Sequence, residues 1–262
     1  MSIPTFAIIV MIDIVNSTKF IEKVGDKKAS KVFRLYDRIF RGLLIKYNGI
    51  EIDKTDGALL LFKTMREAVK YIREYHRLVE THTGLKSRAG IHCGTVMMHS
   101  NSSIWVSRGA KPIEIEGLEK VLCARIMNLA EGGQTLATKR ASQIILSFRL
   151  VYIAYIGEYK LKGVLKPVPI YSIGDNRKRL KKVPKGNDKA KLYKKAPLPL
   201  NRKLLKWAFI LTYPFTFLYA LEFYLIIFEL CHYIGYLKFS VSSLLNSVHE
   251  AQDFLLKLLW LK

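Results

Sequence analysis

The chain has 262 residues, half of them apolar, and carries 43 Lys and Arg against 21 Asp and Glu for a net charge of +22. That length suffices for one domain with a sizeable core plus a further segment. Thirteen basic residues and one acid fall between Arg177 and Lys206, so this run alone supplies +12 of the excess, which is not spread evenly. This excludes the evenly basic face of a nucleic-acid binder, and no nucleic acid is expected as a partner.

In chain order, Phe6 to Ile12 is an apolar run ending at Asp13. No basic region precedes it, so it reads as a buried strand and not as a signal peptide. Ser17 stands where a helix N-cap belongs. Phe20, Ile21 and Val24, then Val32, Phe33, Tyr36, Ile39, Phe40, Leu43 and Leu44, follow at helical spacing. Asn48-Gly49 marks a turn, and Ile50 and Ile52 alternate with polar residues into a hairpin closed near Thr55-Asp56-Gly57. A second helix is expected around Ala68 to Tyr75, a strand from Ser87 to Val96, and a third helix from Leu118 to Ala130 with Gly132-Gly133 beyond its end. This order argues for an α+β sandwich with helices on one face.

Two strand ends carry the chemistry. Asp13 closes the first apolar run, and Asp56 precedes the second, Ala58 to Phe62. Carboxylates presented from neighbouring strand ends make a hard oxygen site suited to Mg²⁺ or Mn²⁺ and a nucleoside triphosphate. The bland alternative is a helix cap and a turn residue. Cys93, Cys123 and Cys231 have neither paired nor metal-ligand spacing and read as free thiols in a reducing compartment.

Beyond about residue 176 the pattern changes. Residues 176–206 read as a solvated basic linker. Trp207 to Leu230 holds no Lys or Arg and only two acids, Glu222 and Glu229. That length matches the ~20 helical residues needed to cross a bilayer, and the basic run upstream would place the linker side in the cytoplasm. Pro214 and Glu222 interrupt the stretch, so a buried or interfacial helix is the other reading. Residues 231–262 read as an amphipathic tail lying on a membrane or against a partner. The expected division is therefore 1–175, 176–206, 207–230 and 231–262.

Six segments resemble, in order, the motifs of class III nucleotidyl cyclase catalytic domains. They are Ile12 to Thr18; Lys54-Thr55-Asp56-Gly57; Arg88 to Gly94; Glu116-Gly117 with Ala124-Arg125; Gly133-Gln134-Thr135-Leu136; and Leu161-Lys162-Gly163 leading to Pro167 to Tyr171. The likeness covers roughly residues 5 to 174. It implies a ferredoxin-like catalytic domain, two divalent ions (Mg²⁺ or Mn²⁺) per active site and conversion of a nucleoside triphosphate to a 3′,5′-cyclic nucleotide. It further implies metal ligation by Asp13, Asp56 and the peptide of Ile14. Triphosphate binding would fall to the amides of Ile14 to Thr18, Ser17 and Thr18 among them. Arg125 would stabilise charge on phosphorus, and Lys162 or Lys166 would reach the phosphates. Lys54 and Glu114 would read the base. Adenine fits this pair, so ATP is the expected substrate; cytosine also offers an amine and an acceptor, and GTP or a pyrimidine is the alternative.

One departure stands out. Val121 occupies the position where many relatives place a ribose-orienting asparagine, leaving Lys120 to substitute or turnover to slow. The hairpin before Asp56 is also about two residues short, which supports a second hypothesis of a nucleotide-binding scaffold with weak activity. His92 reads as structural. The family's sites form between two head-to-tail domains. This chain carries both half-sets, which implies a homodimer with two equivalent sites, its catalytic domain cytoplasmic and anchored to the plasma (inner) membrane by the C-terminal segment.

Overall fold

A computed structural model describes residues 2–55, 57–175, 180, 182–196 and 222–230. The chain divides into two compact units, Met1–Pro197 and Leu198–Lys262.

The first unit begins with strand β1 (Ile3–Ile14), helices α1 (Ser17–Val24) and α2 (Asp26–Lys46), the hairpin β2 (Ile50–Lys54) and β3 (Gly57–Phe62), helix α3 (Met65–Thr83) and strand β4 (Ser87–Ser100). These four strands lie side by side in the order β2-β3-β1-β4, each pair antiparallel. That order is the ferredoxin-like arrangement the motifs implied. A short helix α4 (Ser103–Ser107), strand β5 (Ile113–Glu116) and helix α5 (Leu118–Leu129) follow. Then come β6 (Thr135–Thr138), α6 (Lys139–Leu146), β7 (Tyr152–Leu161), β8 (Val168–Gly174), β9 (Gly186–Asn187) and β10 (Ala190–Lys195). The sheet continues from β4 through β6, β8 and β7 to β10 and β9, while β5 pairs with β4. The β4–β6 pair is parallel.

β1 is apolar on both sides because it is covered on both sides. Ile8, Val10, Ile12 and Ile14 pack with Tyr36 and Phe40 of α2 and with Tyr71, Ile72 and Tyr75 of α3. Ala7, Ile9 and Met11 face the other way, into a cluster with Cys123 of α5. The expectation of helices on one face is therefore corrected. α2, α3 and α6 share one face, and α5 lies on the opposite one. The reason is written in β4, where Gly90 leaves room for helix backbone. A Cβ there would sit 2.6 Å from the Met127 amide nitrogen and 2.9 Å from the Cys123 carbonyl oxygen.

Local signals explain the boundaries. Thr64 and Glu67 form a capping box at the start of α3: the Thr64 hydroxyl accepts from the Glu67 amide at 3.2 Å and donates to its carboxylate at 2.8 Å. Gly84, at φ 69°, ends the helix. At α1 the cap is Asn16 and not Ser17. The chain must reverse within two residues of β1, and Asn16 tolerates the required left-handed backbone at φ 59°.

The stretch from residue 176, read as linker, contributes β10 to the sheet. Ala190 and Leu192 point into a cluster with Ile156, Tyr159 and Leu161, and Lys191 and Lys195 pair in register with Lys160 and Gly157 of β7. Of the expected membrane segment, only residues 222–230 are described; they are helical and exposed. Among the described residues no helix is long and apolar enough to cross a membrane. The rest of 207–230, and the tail 231–262, lie outside the described residues.

Candidate active site

Alternation on β4 turns Arg88, Gly90, His92 and Gly94 toward α5, beside the odd-numbered residues of β1 (Met11↔Gly90, Asp13↔Arg88). The two glycines let α5 lie close, and the two polar residues at alternate positions meet its ends.

Asp13 stands at the last turnward position of that stripe. Its backbone pairs with Arg88 on one side and Gly57 on the other. Arg88 donates to the same carboxylate oxygen from Nη2 at 2.6 Å and Nε at 3.0 Å, and its Nη1 donates to the Asn128 carbonyl at the end of α5 at 3.1 Å. The pair is partly buried, with 17% of the Asp13 side chain exposed, so water screens it only in part. Asp56, the second expected metal ligand, lies outside the described residues. Its neighbours close the hairpin: the Thr55 amide donates to the Gly57 carbonyl at 2.9 Å, and Gly57 pairs with Asp13.

Past Asp13, the Val15 amide donates to the Lys86 carbonyl at 2.8 Å, and the first bond of α1 runs from the Phe20 amide to the Asn16 carbonyl at 3.0 Å. No side chain caps this helix. The amides of Ser17 and Thr18 precede that first bond, as helix-opening amides do, and are oriented for an anion.

The other expected residues form separate groups. On α5, Arg125 Nε donates to the Lys162 carbonyl at 3.3 Å, so these two are neighbours at the end of β7. Lys120 Nζ donates to the Ile115 carbonyl at 3.1 Å and ties β5 to α5; Val121 is partly exposed beside it. Lys54 and Glu114 are not brought together. Lys54 pairs with Asp37 of α2 at 2.9 Å and lies over the Tyr36 and Phe40 rings, on the face away from α5. Glu114 pairs with His99 at 3.3 Å and accepts from Asn101 at 3.2 Å.

His92 is a structural link, as its strand position suggested. Its Nε2 contacts the Glu119 carboxylate, and its Nδ1 lies 2.8 Å from the Thr138 hydroxyl that caps α6. Burial pulls its pKa down, so the neutral ring donates to Glu119 and accepts from Thr138. Burial also pushes the Cys123 thiol well up, which keeps it protonated and inert. The residue that the motifs include without a role is Arg88, the cation that holds Asp13. Its two-residue spacing from Gly90 and His92 was the available signal.

No protein-family model matches the chain, and no curated protein is detectably similar in sequence. Solved structures do match. The adenylyl cyclase CyaB from P. aeruginosa superposes with a TM-score of 0.58 at 17% identity, over 68% of this chain and 97% of its own. The chain has the class III nucleotidyl cyclase fold. The guanylyl cyclase Cya2 shares that cyclase fold at TM-score 0.56 and 20% identity, over 66% and 94% of the two chains. An adenylate/guanylate cyclase/hydrolase from Silicibacter pomeroyi does so at 0.58 and 17%, over 67% and 100%. At such identities the likeness establishes the cyclase architecture.

Proposed function

We infer that this chain is a nucleotidyl cyclase, converting a nucleoside triphosphate, ATP first, to a 3′,5′-cyclic nucleotide and pyrophosphate. The observation that carries the reading is Asp13: a carboxylate at the end of the central strand, beside the Gly57 hairpin and the uncapped start of α1. One of its oxygens already binds a cation, the Arg88 guanidinium. Both Arg88 bonds fall on this one oxygen, so the other Asp13 oxygen is the one that would meet a divalent ion, a hard cation suited to a carboxylate ligand. Asp13, Asp56 and the peptide oxygen of Ile14 would hold them. When bound, such ions acidify the attacking hydroxyl and neutralise the departing pyrophosphate.

The protein's own groups supply the rest. The Ser17 and Thr18 amides bind phosphate oxygens. Arg88, paired with Asp13 and bonded to the Asn128 carbonyl, holds that carboxylate in place at the mouth of the site. Arg125 and Lys162 place two cations together at the end of β7 for the phosphoryl charge that builds in the transition state. Asp13 and Arg125 have different neighbours in the chain, which supports pairing of two copies, each lending one half-set to a shared site. Glu114 would accept an exocyclic amine of the base, with ATP as the first candidate and GTP or a pyrimidine triphosphate as the alternative. Lys54 contributes to base reading only if it leaves Asp37. The C-terminal segment tethers the enzyme to an anionic cytoplasmic membrane surface, supported by the basic run from Arg177 to Lys206.

Incubating the full chain with Mn²⁺ and each of the four triphosphates tests the activity and the base together. A cyclic product from one of them is expected. Binding without product would favour the scaffold reading, for which Val121 speaks, since valine cannot hold a ribose oxygen.

A further inference from the structure

The face of the sheet away from α5 carries a second concavity. It measures about 430 Å³ and opens between α3, the strand ends of β6 and β8, and the residues Leu180 and Lys182. That volume lies in the usual ~300–1,000 Å³ range of small-molecule sites. None of the residues placed in the catalytic machinery lines it.

Its chemistry has two parts. Val69, Ile72, Val151, Ile173 and Leu180 provide an apolar wall. Leu180 is buried, and a Cβ on Gly174 of β8 would lie 3.7 Å from it, so this wall is packed in place. The rest is basic. Among the described lining residues, Arg73, Arg77, Lys86 and Lys182 outnumber the acids Glu80 and Asp175. Arg73 is neutralised by Asp175 at 2.9 Å, and Lys182 pairs with Glu131. Arg77 lies 3.7 Å from Glu74, which already accepts from Lys46 at 2.8 Å and from the Tyr47 hydroxyl at 2.6 Å. Lys86 has no acidic partner among the described residues. His76 sits inside with Nδ1 2.7 Å from the Ser87 hydroxyl and Nε2 2.9 Å from that of Thr135.

We propose that this cavity binds a small amphipathic organic anion, a carboxylate or phosphate head on an apolar body, with Arg77 and Lys86 receiving the head. Its wall is wired to the other face. The Lys86 carbonyl accepts from the Val15 amide, and the Ser87 carbonyl accepts from the Gly133 amide at 2.7 Å. Ser87 is followed by Arg88, which grips Asp13. An occupant that shifts Lys86 and Ser87 therefore moves the strand end that presents Asp13. This second step rests on the cyclase reading; binding itself does not.

The test is amide NMR on the full chain, without nucleotide, titrated with octanoate, with monooctyl phosphate and with octylammonium as charge control. The two anions are expected to shift the Gly133, Gln134 and Ser172 amides saturably, and the ammonium is not. Arg77→Glu with Lys86→Glu should weaken anion binding at least tenfold. Arg77→Gln alone, a milder change at an exposed rim position, should weaken it severalfold. Equal affinity for the ammonium, unchanged affinity in the well-folded variants, or shifts absent from these amides would overturn the site. The Val15 amide should move in step with Gly133; a stationary Val15 would overturn the coupling. Loss of cyclase activity in any assay leaves the binding result intact, so the two readings fail separately.

Discussion

The two sides of β1 are cut from one apolar run yet do different work. Toward α2 and α3, Ile8, Val10 and Ile12 meet a cluster of tyrosines and phenylalanines. There Tyr75 stacks on Tyr71 at 5.7 Å and donates to the Tyr36 hydroxyl at 3.1 Å. Burial pushes the Tyr36 phenol up to about 12, so this buried cluster carries no phenolate at any physiological pH. Toward α5, the same alternation ends in Asp13, Arg88 and His92, each with a charged or polar partner. Period-two alternation lets one strand serve as core on one face and as site on the other, and charge concentrates where the strand ends and water can enter.

The largest expected effect tests the charged side. Asp13→Ala should lower cyclic-nucleotide formation by at least about a hundredfold, the scale of losing a main electrostatic contributor. Its unfolding midpoint should fall only modestly, by what Arg88 loses with its partly buried partner, so folded protein is still available for the assay. Asp13→Ala at full rate, measured with Mn²⁺ and ATP, would remove the basis for the cyclase reading.

Two glycines sharpen the contrast between close and open packing. Gly90→Ala drives a Cβ into α5 backbone, and overpacking of that kind costs roughly 1–3 kcal/mol. Gly42, on the exposed side of α2, has nothing within 4 Å. Gly42→Ala should therefore stabilise by up to about 1 kcal/mol, because alanine loses less entropy in a helix. Denaturant unfolding should show shifts of opposite sign.

These glycines also mark what the sequence makes legible. The four-strand order, the third helix at Leu118 and the position of Asp13 follow from apolar runs and motif order. Which side α5 takes does not, because a helix of mixed pattern fits either face until Gly90 and Gly94 are read as an alternate pair. β10 hides for another reason: only Ala190 and Leu192 anchor it, and the surrounding lysines mask a two-residue period. Arg88 escapes because its role depends on Asp13, 75 residues away. Lys54 and Glu114 read as a pair by motif, yet a β-bulge between Glu51 and Asp53 inverts the alternation and turns Lys54 to the α2 face, away from Ile52.

On the apolar side, the Tyr71 hydroxyl is buried with no hydrogen-bond partner among the described residues. Leaving a buried hydroxyl unsatisfied costs about 1 kcal/mol or more. Tyr71→Phe keeps the ring against Phe62 and should be neutral to stabilising by about that amount. Tyr75→Phe breaks the bond to Tyr36 and should destabilise. If Tyr71→Phe costs as much as Tyr75→Phe in the same melts, the side facing α3 is not the dry core described.

The smallest effect is a pH dependence confined to the charged side. Burial, with Arg140 adding to it, holds the folded His92 pKa below its ordinary value of about 6.5, against the opposing pull of Glu119. The unfolded chain therefore takes up the proton first as pH falls. Where the unfolded state binds more protons, stability rises with pH. The His92 contribution is thus complete above the unfolded pKa, declines as pH drops below it, and levels off once the folded ring is protonated too. His92→Gln keeps one donor and one acceptor for Glu119 and Thr138 but cannot titrate. Unfolding free energies of the two proteins should draw together, or cross in favour of glutamine, between pH 7.5 and 5.5; parallel curves would mean that His92 holds its proton equally well folded and unfolded.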